Sequence, residues 1–146
     1  MEKLTNLQAF NAMEKFLEIY YEQTHSDDAG SLLGEMSFLL DGSTADPATW
    51  GDWTDSIDAV LNKTSKINKK NMDEKLTKIQ AYNAMAKFLE NYYNQTHSDD
   101  IGTLLSGMDF LSNGKTVEPV AWENWIKCVD ATLKEPADKK NLLTFV

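Results

Sequence analysis

The tetrapeptide His-Ser-Asp-Asp occurs twice in this sequence, at 25–28 and at 97–100. Imidazole nitrogens and carboxylate oxygens are common metal ligands, and the same groups serve acid–base catalysis. If the fold brought the two tetrapeptides together, six such side chains would meet: His25, Asp27, Asp28, His97, Asp99 and Asp100. A structural interpretation competes, because Ser26 and Ser98 are favoured N-cap residues and the Asp pairs complement a helix dipole. We favour the helix caps and expect neither a metal site nor a cofactor.

Other catalytic patterns are missing from the sequence. It has no His-Glu-x-x-His, no Cys-x-x-Cys, no Gly-x-Ser-x-Gly turn and no Gly-rich phosphate loop. The single cysteine, Cys128, falls on the apolar face of a predicted helix, where a buried thiol is the simpler interpretation. We therefore expect a protein that is not an enzyme.

Charge and composition narrow the classes of partner. The 146 residues include 14 Lys, no Arg and 23 acidic residues, which gives a net charge of −9. A nucleic-acid binder usually carries a basic patch, so direct nucleic-acid binding is not expected. No apolar run is long enough for a membrane span. The lone cysteine and the lack of a signal peptide predict a cytoplasmic protein.

The sequence is a tandem duplication. Residues 2–63 align with 74–135 at a constant offset of 72, with 35 identities in 62 positions. We divide the chain into a first repeat, a Lys-rich connector, a second repeat and a C-terminal tail, at 1–62, 63–72, 73–135 and 136–146. A unit of about 60 residues is only marginally stable alone, so we expect both repeats to form one compact domain.

Each repeat, called copy one and copy two below, is predicted to contain three helices. Apolar spacing places them at about 6–23, 27–40 and 47–62 in copy one, and at 78–95, 99–112 and 119–134 in copy two. The second helix is expected to end at Asp41-Gly42, with Leu39 on its inner face. No segment alternates long enough for a strand. The predicted fold is all-α, with two three-helix repeats packed as a six-helix bundle or a short solenoid-like stack.

Charge is unequal between the two copies. Copy one carries a net charge of −10 and copy two a net charge of −4. Glu14, Glu18 and Glu22 lie four residues apart on one face of the first helix, and Asp52 and Asp55 lie on the third. Surface drift in a soluble protein would explain such an excess. Alternatively, these five carboxylates attract and orient a basic partner, and they form our predicted binding site.

Three segments of each copy are similar to a known family. They are Gln8 to Tyr21, Ser26 to Met36 and Asp41 to Trp53, repeated as Gln80 to Tyr93, Ser98 to Met108 and Asn113 to Trp125. The series resembles small helical immunity proteins of contact-dependent growth inhibition systems, here in tandem. The resemblance implies a non-enzymatic protein that binds the C-terminal toxin domain of a sibling cell's effector in the cytoplasm. Many such toxins are nucleases with basic active sites.

Two other classes of function stay open at this stage. One is a metal-binding helical domain or enzyme that uses the duplicated His-Ser-Asp-Asp. The other is an adaptor module without a toxin partner, in which the repeat serves only the architecture. The toxin's identity, the copy that contacts it and the oligomeric state do not follow from the sequence.

Overall fold

A computed structural model describes residues 3–61 and 75–135, and this part of the chain is helical. Its helices are α1 (Asn6–Thr24), α2 (Asp27–Met36), α3 (Pro47–Leu61), α4 (Lys78–Thr96), α5 (Asp99–Met108) and α6 (Pro119–Lys134). Outside the helices, the described ranges contain only isolated β-bridges. The all-α prediction is therefore confirmed. The predicted connector at 63–72 and tail at 136–146 lie outside the described residues.

The first helix of each copy begins and ends in the same way. In α1 the Thr5 hydroxyl accepts from the Gln8 amide at 3.0 Å, and the Gln8 side chain accepts from the Thr5 amide at 2.9 Å. Thr77 and Gln80 form the same capping box on α4. This reciprocal arrangement satisfies two amides at each helix start.

The second helix ends earlier than its sequence predicts. The chain leaves α2 at Ser37 rather than at Asp41-Gly42. Phe38 instead forms an antiparallel bridge with Thr44, and its ring packs against Phe10 at 5.5 Å. Gly42, with φ of +88°, supplies the left-handed residue of this turn. The prediction of a helix to 40, and to 112 in copy two, is wrong because tertiary packing of an aromatic ring outweighs continued helical spacing.

Leu39 is also misplaced by the sequence argument. It was predicted on the inner face of the second helix, but it lies in the turn after α2 and is 50% exposed. Leu7 of α1 is likewise 38% exposed. The buried face of α1 is formed by Ala9, Phe10, Ala12, Met13, Phe16 and Leu17.

The third helix of each copy lies mainly against the first helix of the other copy. Thus α3 packs on α4, and α6 packs on α1. Trp53 is fully buried, donates its indole N–H to the Asn6 carbonyl at 3.2 Å and meets the Phe88 ring edge-on at 6.1 Å. Trp125 makes the equivalent contacts: its indole N–H donates to the Lys78 carbonyl, and its ring meets the Phe16 ring edge-on. The core therefore joins both copies.

Backbone also links the two copies just before their first helices. Leu4 and Leu76 are fully buried, and their amides and carbonyls pair in both directions at 2.8 and 2.7 Å. These residues occupy the same position of the duplicated sequence, 72 residues apart. The N-terminal ends of α1 and α4 are thereby held next to each other.

Candidate functional site

The two His-Ser-Asp-Asp tetrapeptides do meet, through serine and aspartate. The Ser26 hydroxyl donates to Asp100 Oδ2 at 2.6 Å, and the Ser98 hydroxyl donates to Asp28 Oδ2 at 2.6 Å. Each hydroxyl also accepts an amide of its own helix at 3.2 Å, from Ala29 in copy one and from the equivalent amide in copy two. Each serine is thus an N-cap and a link to the other copy, which we call the Ser–Asp ties.

The histidines take no part in these ties. His25 and His97 are the C-cap residues of α1 and α4, in the left-handed conformation with φ of 55° and 56°. The His25 ring meets Tyr21 edge-on, with ring centroids 6.2 Å apart. Asp27 and Asp99 lie exposed in the first turns of α2 and α5. Serine, histidine and aspartate therefore form no catalytic relay here.

Metal-ligating side chains are not clustered in the part of the chain that the structure describes. Within 3–61 and 75–135, no group of three or more His, Cys, Asp or Glu side chains is placed to hold a metal ion. Glu22 and His25 have the Glu-x-x-His spacing of helical di-metal proteins, but the first helix was predicted to end at 23, so the pair does not fall within one predicted helix. His25 lies beyond the end of α1 as its cap, and copy two has Asn94 in place of Glu22.

The predicted carboxylates lie on two separate helices with different surroundings. On α1, Glu18 and Glu22 are exposed and Glu14 is half-buried. Glu18 contributes to the electrostatic environment of Cys128 on α6. Asp52 and Asp55 lie on α3, which packs against α4. The acidic residues of α1 and those of α3 therefore adjoin different helices of copy two.

Asp52 has further acidic neighbours that sequence reasoning did not include in the site. Burial, with the charges of Asp55 and Asp46, raises the pKa of the Asp52 carboxyl. Burial and the charge of Asp46 likewise raise the pKa of Glu35. Glu35 lies near the end of α2, and Asp46 directly precedes α3. The replacement of Glu35 by Gly107 in copy two was the sequence signal that could have identified this position.

These carboxylates line a cleft of about 150 Å³ between α2, α3 and α4, which we call the acidic cleft. Its lining residues are Leu32, Glu35, Asp46, Ala48, Thr49, Asp52, Phe88, Tyr92 and Gln95. Burial and the charges of Glu35 and Asp28 raise the pKa of the Tyr92 hydroxyl. The cleft thus combines an aromatic wall with a wall of three carboxyl groups.

A second cleft occupies the equivalent place on the other side of the molecule. All nine positions of the acidic cleft recur there at an offset of 72, as Leu104, Gly107, Glu118, Val120, Ala121, Asn124, Phe16, Tyr20 and Gln23. This twin cleft measures about 290 Å³. It keeps the aromatic wall, but Asn124 replaces Asp52, Ala121 replaces Thr49 and Gly107 replaces Glu35.

Burial raises the pKa of the Cys128 thiol to about 11, which disfavours the nucleophilic thiolate. Among the described helices, none has the length and apolar character to cross a bilayer.

Comparisons with family models, with curated proteins and with solved structures find no match to this chain.

Proposed function

We propose that this chain is an immunity protein that binds the toxin domain of a contact-dependent growth inhibition system and neutralises it as a stoichiometric complex. The resemblance of both copies to that family suggests the partner. Binding, rather than catalysis, is the mechanism that the site supports, since its carboxylates are arranged as surface charge. The toxin would be a basic nuclease whose active site is covered.

The single observation that carries the proposal is the exposure of three copy-one acids, Glu18, Glu22 and Asp55. Copy one contains only two lysines, Lys3 and Lys15. Lys15 pairs with Glu135 of copy two at 2.9 Å. Glu18, Glu22 and Asp55 remain exposed, and opposite charge on a partner would accelerate association with such a surface.

The proposal takes both copies as one functional unit. We propose that residues 1–62 and 73–135 form one compact six-helix domain in which each third helix covers the other copy's first helix. The contacts of α3 with α4 and of α6 with α1, and the buried tryptophans between them, support this arrangement. The toxin would then meet copy-one carboxylates on a surface that copy two holds in place.

Co-expression with the toxin domain encoded beside this chain tests the proposal. We expect cell survival and co-purification of a stable complex. Killing despite soluble, folded immunity protein would remove that toxin as the partner. Stoichiometric metal in the purified chain, lost when His25 and His97 are both changed to Gln, would instead favour the metal-binding alternative.

Charge reversal tests the surface itself. A variant with Glu18, Glu22 and Asp55 changed to Lys should slow association about tenfold or more, because steering depends on the summed charge. The matched control reverses three exposed acids of copy two: Glu90, Asp109 and Glu123. Equal association rates for both variants would contradict a copy-one interface.

A further inference from the structure

We propose that the acidic cleft is the receptor for one alkylammonium or guanidinium group, presented by a Lys or Arg side chain of the toxin. The assignment rests on the proposed immunity function for the source of that group, but the chemistry of the cleft stands on its own observations. A single basic side chain of the partner is thereby bound between α2 and α3 of copy one and α4 of copy two.

The charge in the cleft is not balanced by a basic side chain of the described residues, although Asp46 Oδ1 accepts the Ala48 amide at 3.1 Å. Glu35, Asp46 and Asp52 come from the end of α2, the segment before α3 and the body of α3. No described lysine forms an ion pair with any of them; the ion pairs seen in the described ranges join Lys15 to Glu135 and Lys78 to Asp130. Carboxylates converging without a counter-charge repel one another, so a bound cation would relieve that repulsion.

An independent observation comes from Thr49. This residue lines the cleft and is only 4% exposed. Its amide donates to the Asp46 carbonyl at 3.0 Å, whereas its hydroxyl makes no hydrogen bond to another residue of 3–61 or 75–135 and, unlike the Thr132 hydroxyl, is not sealed from the solvent in the cleft. A nearly buried hydroxyl normally has a partner, and a ligand N–H in the cleft would supply one. In the twin cleft this position is Ala121, which has no hydroxyl to be paired.

Shape and spacing favour an organic cation over a metal ion. The cleft volume of about 150 Å³ corresponds to roughly five waters, enough for the end of a long basic side chain. The carboxylates are not grouped as metal ligands within the described ranges. A guanidinium distributes five N–H donors over a plane and an ammonium offers three, so either can reach acceptors that are spread apart.

The aromatic wall suits the same ligand. Phe88 and Tyr92 of α4 line the same cleft as the carboxylates, and Gln95 adds an amide. Aromatic faces attract cations and cover the methylene stem of a basic side chain. The twin cleft retains Phe16 and Tyr20 but lacks two of the three carboxyl positions, so it should bind such a group poorly.

The first experiment uses the free protein and small probes. Ethylguanidinium and butylammonium, titrated at constant ionic strength, should shift the amide NMR signals of Thr49 and Tyr92 with millimolar Kd. The neutral isostere N-ethylurea should not. Asp52→Asn combined with Thr49→Ala, the residues of the twin cleft, should weaken binding about tenfold, whereas Glu118→Gln should leave it unchanged. Cation shifts that ignore the double variant would overturn the proposal.

The second experiment uses the complex with the toxin. Asp52→Asn with Thr49→Ala should raise the toxin Kd about tenfold or more, as expected for a central contact. One toxin Lys or Arg should show coupling to Asp52 in a double-mutant cycle. Tight toxin binding that the double variant does not weaken overturns the inference and leaves the immunity function standing. Probe binding without any toxin binding overturns the immunity function and the toxin source together, and identifies the ligand as a free organic cation.

Discussion

The acidic cleft and its twin are built from equivalent positions of the two copies, but their polar walls differ. Leu32, Phe88, Tyr92 and Gln95 have identical counterparts in the twin cleft. Glu35, Thr49 and Asp52 do not, and only Asp46 keeps an acidic counterpart, as Glu118. At the equivalent positions, the apolar and aromatic lining is therefore the same in the two clefts apart from Ala48 and Val120, whereas the charge of the lining differs.

The Ser–Asp ties provide the contrasting case. They are identical in both copies, with the same 2.6 Å hydrogen bonds in each direction. An element needed on both sides of the core is expected to be equal on both sides. Substitutions at the ties are therefore expected to have equal effects in the two copies, whereas substitutions at the cleft positions are not.

The largest effect is expected at the ties. Ser26→Ala and Ser98→Ala should each lower the free energy of unfolding by about 2 kcal/mol, because each removes an N-cap and one partner of a half-buried carboxylate. Urea denaturation measures both values. The exposed Ser31→Ala in α2 is the control and should have little effect. Clearly unequal losses would mean that the two ties are not equivalent.

A smaller effect, of opposite sign, is expected at Thr132. Its hydroxyl is buried without a hydrogen-bond partner in the described part of the chain, and copy one has Val60 at the equivalent position. Thr132→Val should raise the free energy of unfolding by about 1 kcal/mol, because it removes a buried unsatisfied group. Thermal unfolding measures the change. The reciprocal Val60→Thr should cost less than this gain, since Val60 is only half-buried; a destabilised Thr132→Val would show that the hydroxyl has a partner.

The smallest stability effect is expected at Asp52. Its pKa is raised above the ordinary 3.8, so the ionised carboxylate disfavours the folded state. Asp52→Asn should stabilise the protein at pH 7 by at most about 0.5 kcal/mol, given solvent screening. The gain should fade as the pH falls through the raised pKa of the folded state and should be lost below 3.8, where the wild-type carboxyl is protonated in both states.

The matched change in the twin cleft is Asn124→Asp, which should be close to neutral. Copy two has Lys127 where copy one has Asp55, and Gly107 where copy one has Glu35. A new carboxylate there meets fewer like charges and one cation. Chemical denaturation between pH 4 and pH 7 compares both variants, and an equal pH dependence would mean that the two clefts do not differ in potential.

Much of the helical framework could be predicted from the sequence. The helix starts predicted at about 6, 27 and 47 agree with the structure, where Thr5 and Ser26 are N-caps and Pro47 begins α3. These signals are local, because each depends on side chains within one turn of the helix. The prediction of where α2 ends was wrong because that end depends on Phe38 packing against Phe10, which is distant in sequence.

The acidic cleft could be predicted only in part. Asp52 was selected from the charge difference between the copies, whereas Glu35 and Asp46 were not included. Their common location depends on α3 lying against α4, an arrangement that periodicity within one copy does not specify. Tyr92 and Gln95, from copy two, complete the cleft for the same reason.

The backbone pairing of Leu4 with Leu76 has a consequence for how the charge difference could arise. A contact between equal positions is the signature of a twofold rotation axis, as in a homodimer. In a homodimer of one copy, every substitution would alter both clefts at once. Here the two clefts are formed by different residues of one polypeptide. A single substitution can therefore add a charge to one cleft and leave the other cleft unchanged. Fusion of the two units thus permits a core that is alike in both copies together with two clefts that differ in charge.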